Sequence, residues 1–235
     1  MTDPILELSN VRKDYCGLRP LRVEHFALSS CERTAILGWD QQAAEMFVNL
    51  LTGATLPDQG DVKVFGRSTR SIADSDEWLR VVDRFGIVSE RAVLLEGLSV
   101  VQNLAVPFTL QIEPPPTDVR EQATALARDV GLPETLWDRP TAELDGASRV
   151  SVRLGRALAL EPTVLLLEHP TARVSRPDVD VLARRVRGAA ERYGVAVITV
   201  TADAEFAAMV ATRVLVSDPA TGRLHRRGRR WFGRS

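Results

Sequence analysis

Lysine is almost missing from this chain. Among 235 residues, Lys13 and Lys63 are the only two, and 30 basic against 31 acidic residues leave a net charge of −1. No global field favours nucleic acid or an anionic membrane surface. Cysteine is equally scarce. Cys16 and Cys31 form no disulfide framework and fit a reducing compartment, although two thiols suffice for one bridge. No apolar window approaches the ~18 residues that a membrane-spanning helix requires. The opening MTDPILELSN carries acidic residues and no apolar run, so no signal peptide is expected there. These absences predict a cytoplasmic chain that meets a membrane only through a partner.

What is present is 45% hydrophobic and 26% charged, enough for one globular domain with a sizeable core, or a core plus a small inserted subdomain. Runs rich in Val, Ile and Leu predict strands over Ile5 to Val11, Val23 to Leu28, Arg33 to Leu37, Val62 to Phe65, Phe85 to Val88, Val164 to Leu167, Val195 to Val200 and Arg213 to Val216. Two of these, at Val164 and Val195, lack polar alternation, as parallel strands buried on both faces do. Helical segments fall between the later strands: Asp118 to Val130, Val150 to Leu160, Asp178 to Tyr193 with Gly194 as C-cap, and Asp203 to Ala211. The alternation predicts an α/β fold with a mainly parallel sheet. The early strands, with the turn Asp58-Gln59-Gly60, predict an antiparallel β patch. From about Glu90 to Ser148 strand signal is sparse, and Glu113-Pro114-Pro115-Pro116 reads as a stiff turn, so this region reads as a helical insertion. The closing RLHRRGRRWFGRS reads as a solvated tail, with Trp231 and Phe232 suggesting docking as the alternative.

The stretch GWDQQAAEM, Gly38 to Met46, lies between a predicted strand and an apolar-faced helix. Strand, Gly turn, helix is the setting of a phosphate-binding loop. Other segments follow in a consistent order: GDVKVFG, FGIVSERAVLLEGLSVVQNLAVPF, ELDGASRVSVRLGRALALEPTVLLLEHPTA and AVITVTAD. Together they resemble the nucleotide-binding subunit of ABC transporters along nearly the whole chain, as P-loop, following strand-turn, Q-loop, signature with Walker B, and switch. The Q-loop segment resembles that of lipoprotein-release, cell-division and macrolide-export cassettes. The resemblance implies a P-loop NTPase-type sheet over residues 1–89 and 149–235, with a helical subdomain over 90–148. It implies ATP and Mg²⁺ as ligands. Its partners would be an integral membrane permease and a second cassette, in a homodimer or heterodimer, with no nucleic acid. The implied location is the inner face of the cell membrane.

Set against the family pattern, the residues that touch phosphate, Mg²⁺ or water are mostly replaced. Gly38 keeps the first P-loop glycine, but Gln41, Ala43, Ala44 and Glu45 stand at the internal glycine, second glycine, lysine and hydroxyl positions, followed by Met46. Two like charges ~4 Å apart repel by about 4 kcal/mol at an effective dielectric of about 20, so Glu45 would oppose phosphate. Glu45, or Asp40 as N-cap, is expected to occupy the helix N-terminus in place of an anion. If the loop keeps the family's shape, Ala44→Lys with Glu45→Ser should partly restore nucleotide binding. Walker B Asp and Glu become Glu168 and His169. His169 is expected to be a hydrogen-bonded structural histidine, or else a general base. The signature reads Leu144, Asp145, Gly146, Ala147 and Ser148, where Arg149 could offset the added carboxylate. Glu90 stands for the Q-loop Gln, Ala202 for the switch His, Ser175 for the D-loop Asp, and Tyr15 where the family stacks an aromatic on adenine. The leading expectation is a degenerate transporter subunit with weak or no hydrolysis. The alternatives are an atypical ATPase and a soluble scaffold without a transporter. Val93, Leu94, Leu95, Leu98 and Val100 are candidate permease contacts.

Overall fold

Uninterrupted apolar runs become strands with both faces covered. The computed structural model describes residues 3–227. The chain runs β1 (Leu6–Lys13), β2 (Leu21–Leu28), β3 (Arg33–Leu37), α1 (Gln41–Leu51), β4 (Gln59–Val64), β5 (Arg67–Ser68), α2 (Ser75–Val82), β6 (Phe85–Val88), α3 (Val100–Ala105), α4 (Thr117–Asp129), α5 (Gly146–Leu158), β7 (Val164–Glu168), α6 (Val179–Tyr193), β8 (Ala196–Val200), α7 (Ala204–Val210), β9 (Arg213–Ser217) and β10 (Leu224–Arg226). One sheet is antiparallel, ordered β2-β1-β4-β5, and the larger is ordered β10-β9-β3-β8-β7-β6. Within the larger sheet every pairing is parallel except β10 on β9. The α/β class and the antiparallel patch are as expected from the strand patterning.

Period-2 alternation assigns each strand residue to one of two cores. Leu165, Leu167 and Val197 face α3 to α6. Val164, Leu166, Ile198 and Val200 face α1 and the antiparallel sheet. Phe47 joins those layers, with its ring centroid 6.0 Å from Phe26 and 4.9 Å from Trp39.

Some boundaries differ from expectation for physical reasons. α5 begins at Gly146 rather than Val150 because Asp145 caps it, accepting the Ser148 N–H at 2.7 Å. Gly146 is a poor helix former, but a Cβ there would lie 2.1 Å from the Arg173 carbonyl oxygen. The division at 148/149 therefore falls inside a continuous helix. β4 starts at Gln59, where Gly60 (φ +79°) crosses so close to β1 that a Cβ would sit 2.3 Å from the Asn10 oxygen. The start of the arginine-rich end is not a tail: Leu224–Arg226 pairs with β9, whose open edge supplies the backbone partners. Trp231 and Phe232 lie outside the described residues. The cysteines are free and exposed. Among the described residues, no helix is long and apolar enough to cross a membrane.

Candidate functional site

β3 delivers the chain to a very short loop. Gly38 turns with φ +99°, Trp39 buries its ring against Phe47, and Asp40 caps α1 at once by accepting the Ala43 N–H at 2.8 Å. Residues 41–43 are thus already helical. Only Gly38, Trp39 and Asp40 separate strand from helix. Ala43 and Ala44 point into the core, and Ala44 has no exposed surface. Met46 packs partly against the same core. Tyr15 also lies partly against it, and burial, then the Asp40 charge, raises its phenol pKa.

Of the two carboxylates expected as alternatives at this helix end, Asp40 occupies it and Glu45 does not. Glu45 turns aside to Arg91, whose Nη1 lies 3.0 Å from its Oε1. The other Arg91 nitrogen donates to Glu168 Oε1 at the end of β7. Glu168 Oε2 accepts a 3.4 Å bond from Gln41 Nε2. The Glu168 side chain is 0% exposed. Burial raises its carboxyl pKa, while the hydrogen bond and charge of Arg91 pull it back down. The site is therefore one cluster: α1 and β7 joined through a guanidinium from the segment after β6.

That segment is held from a second side. Arg149, Arg153 and Arg156 recur at helical spacing along one face of α5. Arg153 binds both Glu90 oxygens, at 2.9 and 3.2 Å, and the Ala92 carbonyl at 3.0 Å. Arg156 donates to the Val93 carbonyl at 2.7 Å. Arg149 pairs with Glu96, so it does not offset Asp145 as expected. Glu90 faces Arg153 and Arg173; no hydrogen bond joins it to α1 or β7 among the described residues. Asn103 closes the end of the loop, bonding both the N–H and carbonyl of Leu95. Val93 (69% exposed) and Leu95 (42%) remain on the surface, Leu98 is half-buried, and Leu94 and Val100 are buried.

The other expected site residues lie in two places. Gln41, His169 and Ala202 line a cleft of about 500 Å³ together with Thr171, Ala172, Arg176 and Asp203. His169 has φ +42°, and its N–H bonds the Val200 carbonyl at 2.8 Å. Its Nε2 is buried with no hydrogen-bond partner among the described residues, so the expected hydrogen-bonded ring is corrected at that atom. Asp203 caps α7 and holds Arg176 at 2.6 Å. Ser175 is on the surface, bonded to Asp178. The signature segment is elsewhere, at the start of α5: Leu144, Ala147 and Ser148 are buried, and the Ser148 hydroxyl bonds Asp145 at 3.2 Å.

Sequence reasoning missed Arg91, Trp39 and the arginine face of α5. The spacing 149, 153, 156 was visible as a stripe. Arg91 carried no signal of its own, because its role depends on two carboxylates distant in sequence.

A family model described as ABC transporter matches residues 23–172. The lipoprotein-releasing system ATP-binding protein of Psychrobacter arcticus is 26% identical over 216 residues, covering 90% of this chain and 95% of that protein. The methionine import ATP-binding protein of Brucella abortus is 26% identical over 215 residues, and the chain spans only 58% of its length. In fold, the chain is similar to cbiO1 from Clostridium perfringens, part of the ABC transporter complex cbiONQ. The TM-score is 0.76 at 22% identity, covering 95% of this chain and 88% of that one. The matched span runs from β2 through the short loop and α1 to the residues just after β7, and on it the chain belongs to the ABC transporter family.

Proposed function

We propose that the chain is a cassette subunit of a membrane transporter whose own nucleotide site is closed by its own residues. It serves a permease as a structural or regulatory partner, with weak or no ATP hydrolysis. The observation that carries this reading is α1 winding from Gln41 under the Asp40 cap. The helix end that would receive an anion already has one. Three further features support it. Ala44, at the lysine position, is fully buried. Glu45 and Glu168 are engaged by Arg91. Ser148 donates its hydroxyl to Asp145 of its own helix end.

The partner we infer is an integral membrane permease, with a second cassette, identical or different, completing the pair. The chain would then sit at the inner membrane face. Val93 and Leu95 are the exposed apolar residues on the segment clasped by α5, and they are assigned to that contact. The full chain, tagged and isolated from detergent-solubilised membranes, should bring an integral membrane protein with it. Val93→Asp with Leu95→Asp should reduce that recovery about tenfold, the effect of removing roughly 1.4 kcal/mol of contact. Isolation of the chain alone, or recovery unaffected by both charges, would contradict the assignment.

One observation favours an active, atypical ATPase instead. His169, which stands where the resembled family has its general base, lines the cleft, and its buried Nε2 has no hydrogen-bond partner among the described residues. Phosphate release that His169→Ala abolishes would establish that reading.

A further inference from the structure

The family's Mg²⁺ would lie among P-loop, Walker B and Q-loop residues, and the residues here do not fit it. The place between Glu45 and Glu168 is already spanned by a guanidinium, one nitrogen on each carboxylate. The protein's two lysines are engaged elsewhere, Lys13 with Asp58 and Lys63 with Glu7. A carboxylate with no exposed surface, as Glu168 is, requires a cation or hydrogen bonds to remain ionised. Arg91 supplies both, and its fork lets one side chain serve two carboxylates.

Its backbone is placed for that reach. The flanking Glu90 and Ala92 are both gripped by Arg153, and Val93 by Arg156. Arg91 is thus the central contact of a segment stapled between α5 and the α1–β7 end of the sheet.

We propose that Arg91 is a tethered cation standing in for a divalent ion between α1 and β7. It holds this site closed without metal or nucleotide. The assignment rests on the reading of the chain as a cassette with an altered nucleotide site. It carries a consequence that the closed loop alone does not. Without Arg91, the carboxylates of Glu45 and Glu168 are left with no cation between them, and their oxygens suit a hard cation.

The test uses the full chain without nucleotide, titrated with Mn²⁺ at pH 7.5 and followed by the electron paramagnetic resonance of free Mn²⁺. Wild type should leave the signal at its buffer value. Arg91→Met should lower the free-Mn²⁺ signal saturably, by the equivalent of one ion per chain, at concentrations where wild type leaves it unchanged. Adding Glu45→Gln should remove that uptake. If Arg91→Met does not fold, Arg91→Gln, neutral but able to hydrogen-bond Glu168, is judged by the same result. Folded Arg91 variants with no uptake, or wild type binding Mn²⁺ as tightly as they do, would overturn the assignment. With no nucleotide present, this failure is distinct from failure of the non-hydrolysing reading, which phosphate release by wild type would overturn.

Discussion

Incubated with Mg²⁺ and ATP, the purified chain should release phosphate no faster than buffer, and His169→Ala should change nothing. On the proposed function, three separate deficits lead to this. A positioned general base contributes about 10²- to 10⁴-fold to a rate. His169, at the base position, lacks the negative charge that helps a carboxylate orient water beside a metal. A single preorganised donor to developing charge contributes about 10²- to 10³-fold. The lysine position is Ala44, buried in the core. Third, the loop that would cradle phosphate is reduced to Gly38, Trp39 and Asp40 before α1 begins. Such effects do not multiply cleanly, but the first two alone are of the order of 10⁴-fold or more, and the third removes the site at which ATP would be held. Release that saturates with ATP and falls in His169→Ala would reverse the ranking of the two functional readings.

Phe47→Ala should cost about 3–5 kcal/mol, the range for emptying a buried aromatic site. The ring is 0% exposed. It meets Phe26 edge-on at 6.0 Å and Trp39 at 4.9 Å, tilted by 49°. Aromatic pairs of this kind add about 0.5–1.5 kcal/mol beyond burial. The same ring anchors Trp39, which fixes the short loop ahead of α1, so the site loosens with the core. A domain of this size has total stability of roughly 5–15 kcal/mol, so the loss is a large fraction of it. Urea unfolding should show a lower midpoint at unchanged slope. A cost below about 1 kcal/mol would mean that the ring is not packed as described.

The fold was legible because its signals are local and repeated. Val164 to Leu167 and Val195 to Val200 announce buried parallel strands without knowledge of their neighbours. Gly194 closes α6 in the left-handed conformation its residue type favours. The helix at Gly146 was read late because a glycine argues against a helix start, and only the cap and the close approach of Arg173 explain it. The candidate site was legible in its replacements and opaque in what they do. The absent lysine could be read from Ala44. That an arginine 46 residues away would meet Glu45 depends on tertiary placement alone. Charge and position allow either Glu45 or Asp40 at the helix end. An ion pair with Arg91 draws Glu45 away, leaving that end to Asp40, whose extended backbone lets its carboxylate reach the Ala43 N–H.

On the proposed function, residues of the chain close the phosphate site, in backbone as well as in side chains. Calorimetric titration of ATP with Mg²⁺ into the full chain, and into Ala44→Lys with Glu45→Ser, tests this central claim most directly. Because α1 starts at Gln41 and Ala44 is buried, neither protein should show saturable binding up to about 1 mM nucleotide, equivalent to affinity no better than about −4 kcal/mol. Micromolar, saturable binding by the wild type would contradict the claim. Binding by the double variant alone would show that only the side chains, and not the loop, had closed the site.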